Sequence, residues 1–228
     1  REAGDQILNI ENLSSSTDGT ILFKNLHLNL AKGDKVVVYA KDTRALSALY
    51  EILMGERKAD TGSFDWGITT SQAYLPVDHD HFFEKPMSLV DWLRQYAKTE
   101  EEREEVFIRG FLGKMLFSGE EALKMSNVLS GGEKVRCMLS KMMMERANVL
   151  LLEEPTNHLD LESITAFNNS LNNFKGTLLC STSDHAFAQT LGTRIVELTH
   201  NGIIDRHTTF DEYMTDPKIK ELREKMLG

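Results

Sequence analysis

This chain has little of several things that would direct a reading elsewhere. It has only two cysteines, Cys137 and Cys180, in no CxxC spacing. That excludes a disulfide scaffold and a zinc module, and it predicts two reduced core thiols of a cytoplasmic protein. No apolar run approaches the ~20 residues that span a bilayer, and no basic-then-apolar opening marks a secretory signal. Positive charge is scarce: 26 Lys and Arg stand against 35 Asp and Glu, for a net charge of −9. That balance argues against a broad nucleic-acid-coating surface, though not against a small basic patch. Internal repeats and low-complexity linkers are absent. The chain opens on Arg1 rather than Met, which leads us to expect a piece of a longer protein.

What is present is an alternation of strands and helices within 228 residues, 41% of them hydrophobic. Residues 6–12 and 26–30 alternate polar and apolar like half-exposed strands, with a turn-rich loop at 14–19. Residues 36–39 form an apolar strand and 43–54 have helical spacing. Residues 86–109 read as helical and charged, and the run KTEEEREE at 98–105 reads as a solvated helix face. Further helices are predicted at 130–145, 161–174 and 184–191, and strands at 149–152 and 177–181. Asn201-Gly202 should turn a hairpin between 195–198 and 203–206. Strands alternating with helices after residue 35 imply an α/β fold: a parallel-sheet core, an antiparallel side sheet and a helical subdomain over roughly 86–128.

The chemistry concentrates between residues 128 and 160. Ser130 followed three residues later by Glu133 is a capping box, and alone it would mean no more than a helix start. Gly131 and Gly132 between them leave the backbone bare, so a phosphate can approach the positive helix end. Four apolar residues, 149–152, then lead into Glu153 and Glu154, at the strand end where open α/β sheets bind ligands. The run continues Pro155-Thr156-Asn157-His158-Leu159-Asp160.

LSGGE followed by an apolar strand and EPTNHLD resembles the signature, Walker B strand and D-loop of ATP-binding cassette (ABC) ATPases. The wording is most similar to the second cassette of the ABC-F family, soluble proteins that carry two cassettes in one chain. The resemblance covers nearly the whole sequence, including residues 62–67 and 211–213. It implies an ABC-type nucleotide-binding domain that uses ATP and Mg²⁺. It implies that Ser130, Gly131, Gly132 and Glu133 contact ATP held by an opposite cassette. It places Asn157, His158 and Asp160 at the interface between cassettes, Glu153 on Mg²⁺ (usually Asp in the family), and Glu154 as the base that activates water.

The departures from the family pattern gather on one function. A phosphate loop reads G-x-x-x-x-G-K-[ST] between a strand and a helix. The equivalent stretch starts at Ala40-Lys41 and continues through Arg44, Ala45, Leu46 and Ser47. Both glycines are Ala, and Leu46 replaces the phosphate-gripping lysine. Only the Mg²⁺-binding hydroxyl, Ser47, remains. A lost charge-assisted contact costs about 1.5–3 kcal/mol. Lys41 and Arg44 are the cations left to compensate, while Asp42 would repel a polyphosphate. This segment should not form a ring of inward N–H groups. The adenine-stacking aromatic is missing near Ser16 and Thr17, Val77 stands where the Q-loop glutamine is expected, and Ser183 replaces the switch histidine. His185 next door reads as a surface helix residue.

The leading expectation is therefore an ABC-F-like cassette with a degenerate pocket of its own, supplying signature and D-loop in trans to a partner cassette, covalently attached or not. By family analogy its output would be ribosome binding and control of translation. The alternatives are an active ATPase with an atypical phosphate loop, using Glu154 with Lys41 or Arg44; the nucleotide-binding subunit of an ABC transporter; and an interaction module that binds no nucleotide.

Overall fold

The computed structural model describes residues 4–228, so the start at Arg1 lies outside the described residues. The chain divides into two compact units. The first comprises residues up to Tyr74, Asn148–Glu154 and Gly176–Gly228; the second comprises Leu75–Ala147 and Pro155–Lys175.

In the first unit, β1 (Gln6–Thr17) and β2 (Thr20–Ala31) form a long hairpin. The loop expected at 14–19 is strand as far as Thr17, and β2 starts six residues earlier than its clearest alternation. The reason is the turn: Asp18 and Gly19 both have positive φ, 50° and 79°. Such a two-residue turn matches the twist of paired strands. Leu26, Leu28 and Leu30 alternate into the core, as the pattern predicts. Beyond β3 (Lys35–Tyr39) and α1 (Thr43–Leu53), β4 (Thr61–Trp66) pairs with β1, giving an antiparallel sheet of order β2-β1-β4.

The second sheet of this unit contains β3, β5 (Gln72–Leu75), β6 (Val149–Glu153), β7 (Thr177–Ser181), β8 (Arg194–Thr199) and β9 (Gly202–Arg206), in the order β5-β6-β7-β3-β8-β9. The pairs β6/β7, β7/β3 and β3/β8 are parallel; β8/β9 is the antiparallel hairpin. Its two-residue turn is His200-Asn201, one position before the expected pair, because Gly202 already pairs with Thr199. Every residue of β6 and β7 is buried, which explains their unbroken apolar runs. The unit also contains α7 (His185–Leu191), α8 (Phe210–Thr215) and α9 (Pro217–Leu227).

The second unit is helical. The stretch expected to be helical over 86–109 holds three helices: α2 (Leu89–Arg94), α3 (Glu100–Arg103) and α4 (Glu105–Lys114). Ser88 and Thr99 each start a new helix by accepting from a backbone N–H, and Glu104 sits extended between α3 and α4. Trp92 is fully buried, stacked 4.8 Å from Phe83, with its indole N–H on the Phe82 carbonyl at 2.7 Å. The unit continues into α5 (Gly131–Met144) and α6 (Leu161–Asn172). Cys137 and Cys180 are both buried and unpaired. Among the described residues, no helix is long and apolar enough to cross a membrane.

Candidate nucleotide site

The segment between β3 and α1 is the natural place for a phosphate. Here it is only Ala40, Lys41 and Asp42, because α1 begins at Thr43. Asp42 caps the helix. Its carboxylate accepts from the Arg44 N–H at 3.1 Å, and the Arg44 guanidinium grips the same carboxylate at 3.0 and 2.7 Å. That guanidinium holds the Asp42 carboxyl below its usual range. The Ala45 N–H turns back onto the Asp42 carbonyl at 3.0 Å. Among the described residues with positive φ, none lies between 40 and 47. The early helix avoids the left-handed conformations that would have strained two alanines. It also turns Leu46 inward: Leu46 is 3% exposed and Ala45 fully buried, both packed in the core with Val36, Val38 and Leu49. Lys41 and Arg44 are exposed.

The two carboxylates at the end of β6 have opposite surroundings. Glu153 is buried; the Ser47 hydroxyl donates to one of its oxygens and the Tyr74 phenol to the other at 2.7 Å. Glu154 is half-buried with φ of 48°. Its N–H donates to the Ser181 carbonyl at 2.8 Å. Its carboxylate accepts from the Ser183 N–H at 3.0 Å and the Ser183 hydroxyl at 3.3 Å. Burial raises the Glu154 carboxyl above its ordinary pKa, and the Ser183 bonds only partly oppose this. So Ser183, in the switch position, does contact the neighbouring carboxylate. His185 instead pairs with Asp211 and stands edge-on to Phe210 at 4.9 Å.

In the second unit, Ser130 caps α5. Its hydroxyl accepts from the Glu133 N–H at 3.2 Å, and the Glu133 carboxylate takes the Ser130 N–H at 3.1 Å. Burial pushes the Glu133 carboxyl up, but its bonds to Lys124, at 2.7 Å, and to Ser130 win and hold it low. Ser130 and Gly131 are exposed. Gly132 meets the D-loop: a Cβ there would lie 2.4 Å from the His158 carbonyl oxygen. Asn157 and His158 are exposed, and His158 has φ of 69°. Asp160 caps α6 by accepting from the Ser163 N–H at 2.8 Å. Val77 is exposed.

Sequence reasoning missed Tyr74 and the capping role of Asp42. Nothing local marks Tyr74, whose acceptor lies 79 residues away. Asp42 directly before a helical pattern is a cap signal that could have been read.

The fit to Mg²⁺-ATP in this chain's own pocket is poor. The helix start holds its own carboxylate, the position of the phosphate lysine is core, and each oxygen of Glu153 already accepts a hydrogen bond.

Comparison with known proteins agrees with the fold. The ABC transporter family model matches residues 10–157. YkpA of Bacillus subtilis, an ABC transporter ATP-binding protein, is 50% identical over 97% of this chain and 41% of its own length. The energy-dependent translational throttle protein EttA of Haemophilus influenzae, an ABC-F member, is 28% identical over 99% of this chain and 40% of its own length. Among solved structures, an ATP-binding cassette of an ABC transporter in its ADP conformation superposes with a TM-score of 0.71 at 16% identity, covering 96% of this chain and 98% of that one. The chain spans about two fifths of the length of these curated relatives. A phosphate-loop position between β3 and α1, paired carboxylates closing β6, a glycine-rich start to α5 and the matched family model converge: the chain belongs to the ATP-binding cassettes of the ABC transporter family.

Proposed function

We propose that this cassette serves as the trans half of an ATP site. Its signature and D-loop face ATP and Mg²⁺ held by a second cassette, and its own pocket holds no nucleotide. The observation that carries the reading is the burial of Leu46 in the core, at the position where a cassette grips phosphate with lysine. The exposed start of α5, with Ser130 and Gly131 open to solvent, supports the other half. A 14-residue helix offers its positive end and free amides there. Asn157, His158 and Asp160 would lie at the contact with the partner, and residues 1–228 would form one cassette whose helical subdomain lies around 86–128. Relatives more than twice this length support a second cassette in the same polypeptide. The likeness to EttA supports a cytoplasmic role on the ribosome in the control of translation, on family analogy.

One observation favours a second reading, in which the chain hydrolyses its own ATP. Glu154 persists, and burial raises its carboxyl in the direction a general base requires. Titration calorimetry with millimolar Mg²⁺-ATP separates the two. We expect no binding to this chain; a micromolar dissociation constant would promote the second reading. In a paired-cassette protein, Ser130→Arg should abolish turnover and Glu154→Gln should leave most of it. The reverse pattern would show that the working face was assigned to the wrong side.

A further inference from the structure

Each oxygen of Glu153 already accepts a hydrogen bond from the chain. Glu153 is 4% exposed, and its two oxygens meet the Ser47 hydroxyl and the Tyr74 phenol. A buried carboxylate needs such donors, since an unpaired one is strongly penalised. The phenol is fixed by packing: its ring lies 5.7 Å from that of Tyr50, which is fully buried and anchored to the Leu152 carbonyl at 3.4 Å. At the start of α1, Asp42 and Arg44 close on each other in the same way.

We infer that Tyr74 stands in for the divalent cation and Asp42 for the phosphate, so that the pocket is a permanently closed structural joint between α1, β5 and β6. The inference rests on the reading that this chain's own pocket holds no ATP, and it adds what occupies the place instead. Mg²⁺ demands six oxygens in near-octahedral order and keeps several waters. To reach Glu153 it would have to displace the phenol, strand a half-buried Tyr74 hydroxyl, and admit water to a carboxylate that is now nearly sealed. Ser47 therefore serves as a donor to Glu153, and the pair that resembles a metal site is a hydrogen-bonded clasp.

The test uses the 228-residue chain and its Tyr74→Phe and Ser47→Ala variants. Tyr74→Phe keeps the ring and removes only the hydroxyl. Thermal denaturation should show a fall in Tm of about 3–10 °C for this variant, from the usual cost of losing a hydrogen bond to a charged group. Neither Mg²⁺ nor Mg²⁺-ATP should shift the wild-type Tm. Mn²⁺, followed by electron paramagnetic resonance, should stay unbound by wild type with and without ATP. A Tyr74→Phe Tm within about 1 °C of wild type would overturn the joint while leaving the trans reading intact. Wild-type Mn²⁺ binding that is lost in Glu153→Gln would restore a metal site and overturn the inference even if Tyr74→Phe does not fold. If that binding also requires ATP, the trans reading falls with it.

Discussion

Adding one methyl group at Gly132 should disturb the D-loop, whereas adding it at Gly131 should not. A Cβ on Gly132 would sit 2.4 Å from the His158 carbonyl oxygen, a backbone atom with no rotamer to change. Restoring a normal contact requires a shift of roughly 0.8 Å in a turn that already holds His158 at positive φ. Overpacking of this kind costs about 1–3 kcal/mol. For a chain of this size that is a fall in Tm of about 2–10 °C. A Cβ on Gly131 would lie 3.4 Å from the His158 ring, ordinary contact with a movable side chain. There the substitution should be neutral or gain a few tenths of a kcal/mol from reduced chain entropy. Trp92 is buried in the same unit and reports its unfolding by fluorescence; Trp66 belongs to the other unit and can be replaced by Phe. If Gly132→Ala melts at or above the temperature of Gly131→Ala, the close approach between signature and D-loop is wrong. If the order holds, the loss of turnover in any larger Gly132 variant has a packing cause as well as a phosphate cause, which is why Ser130→Arg is the cleaner probe of the trans site.

Leu46→Lys should not rescue ATP binding, because position 46 faces the core; burying the ammonium should cost about 3 kcal/mol or more, seen in urea denaturation, and calorimetry should still show no nucleotide binding. Arg223→Met should be among the most damaging changes near the C-terminal end, at about 3–5 kcal/mol, since it removes the cation 2.6 Å from the fully buried Glu197 and leaves that carboxylate only the Tyr213 hydroxyl at 2.5 Å. Glu154→Gln should change how stability depends on pH. The folded-state pKa of Glu154 is raised, so wild type loses stability from this group as pH rises from its unfolded pKa through the folded one. The variant should therefore gain on wild type across that interval and stay parallel above it; unfolding curves that differ by a constant from pH 4 to 8 would refute the shift.

Local signals carried much of the fold. Four apolar residues ending in a carboxylate pair could only be a central strand once a helix preceded and followed them, and β6 is that strand. The Ser130–Glu133 capping box fixed the start of α5 to the residue. Where the reading failed, a local signal was masked or the cause was distant. Ser14, Ser15 and Ser16 looked like loop, yet Ser15 is 1% exposed within β1, and the Asp18-Gly19 pair that turns the hairpin was hidden at the edge of that serine run. The charged stretch from 98 to 105 kept helical composition across Glu104, whose extended backbone breaks it. In the site, the missing lysine and the start of α1 at Thr43 were legible, but not that this start turns Leu46 into the core. Tyr74 was invisible because its role depends on a carboxylate brought alongside by sheet pairing rather than by spacing.

The retained motifs have structural reasons that do not involve nucleotide. Ser130 and Glu133 satisfy a helix end, Asp160 caps another, and Gly132 lets a carbonyl pass. Their presence alone is therefore weak evidence for a working trans face. The residues that packing does not explain are more telling: Gly131 has room for a side chain, and Asn157 is exposed in the D-loop turn. In the first unit the logic is reversed. Leu46, Asp42, Tyr74 and Ser183 each meet a partner from the chain itself, in core, guanidinium or carboxylate. Four departed contacts thus have internal replacements, and on the reading proposed above such a cassette would act on ATP through the face it offers to another.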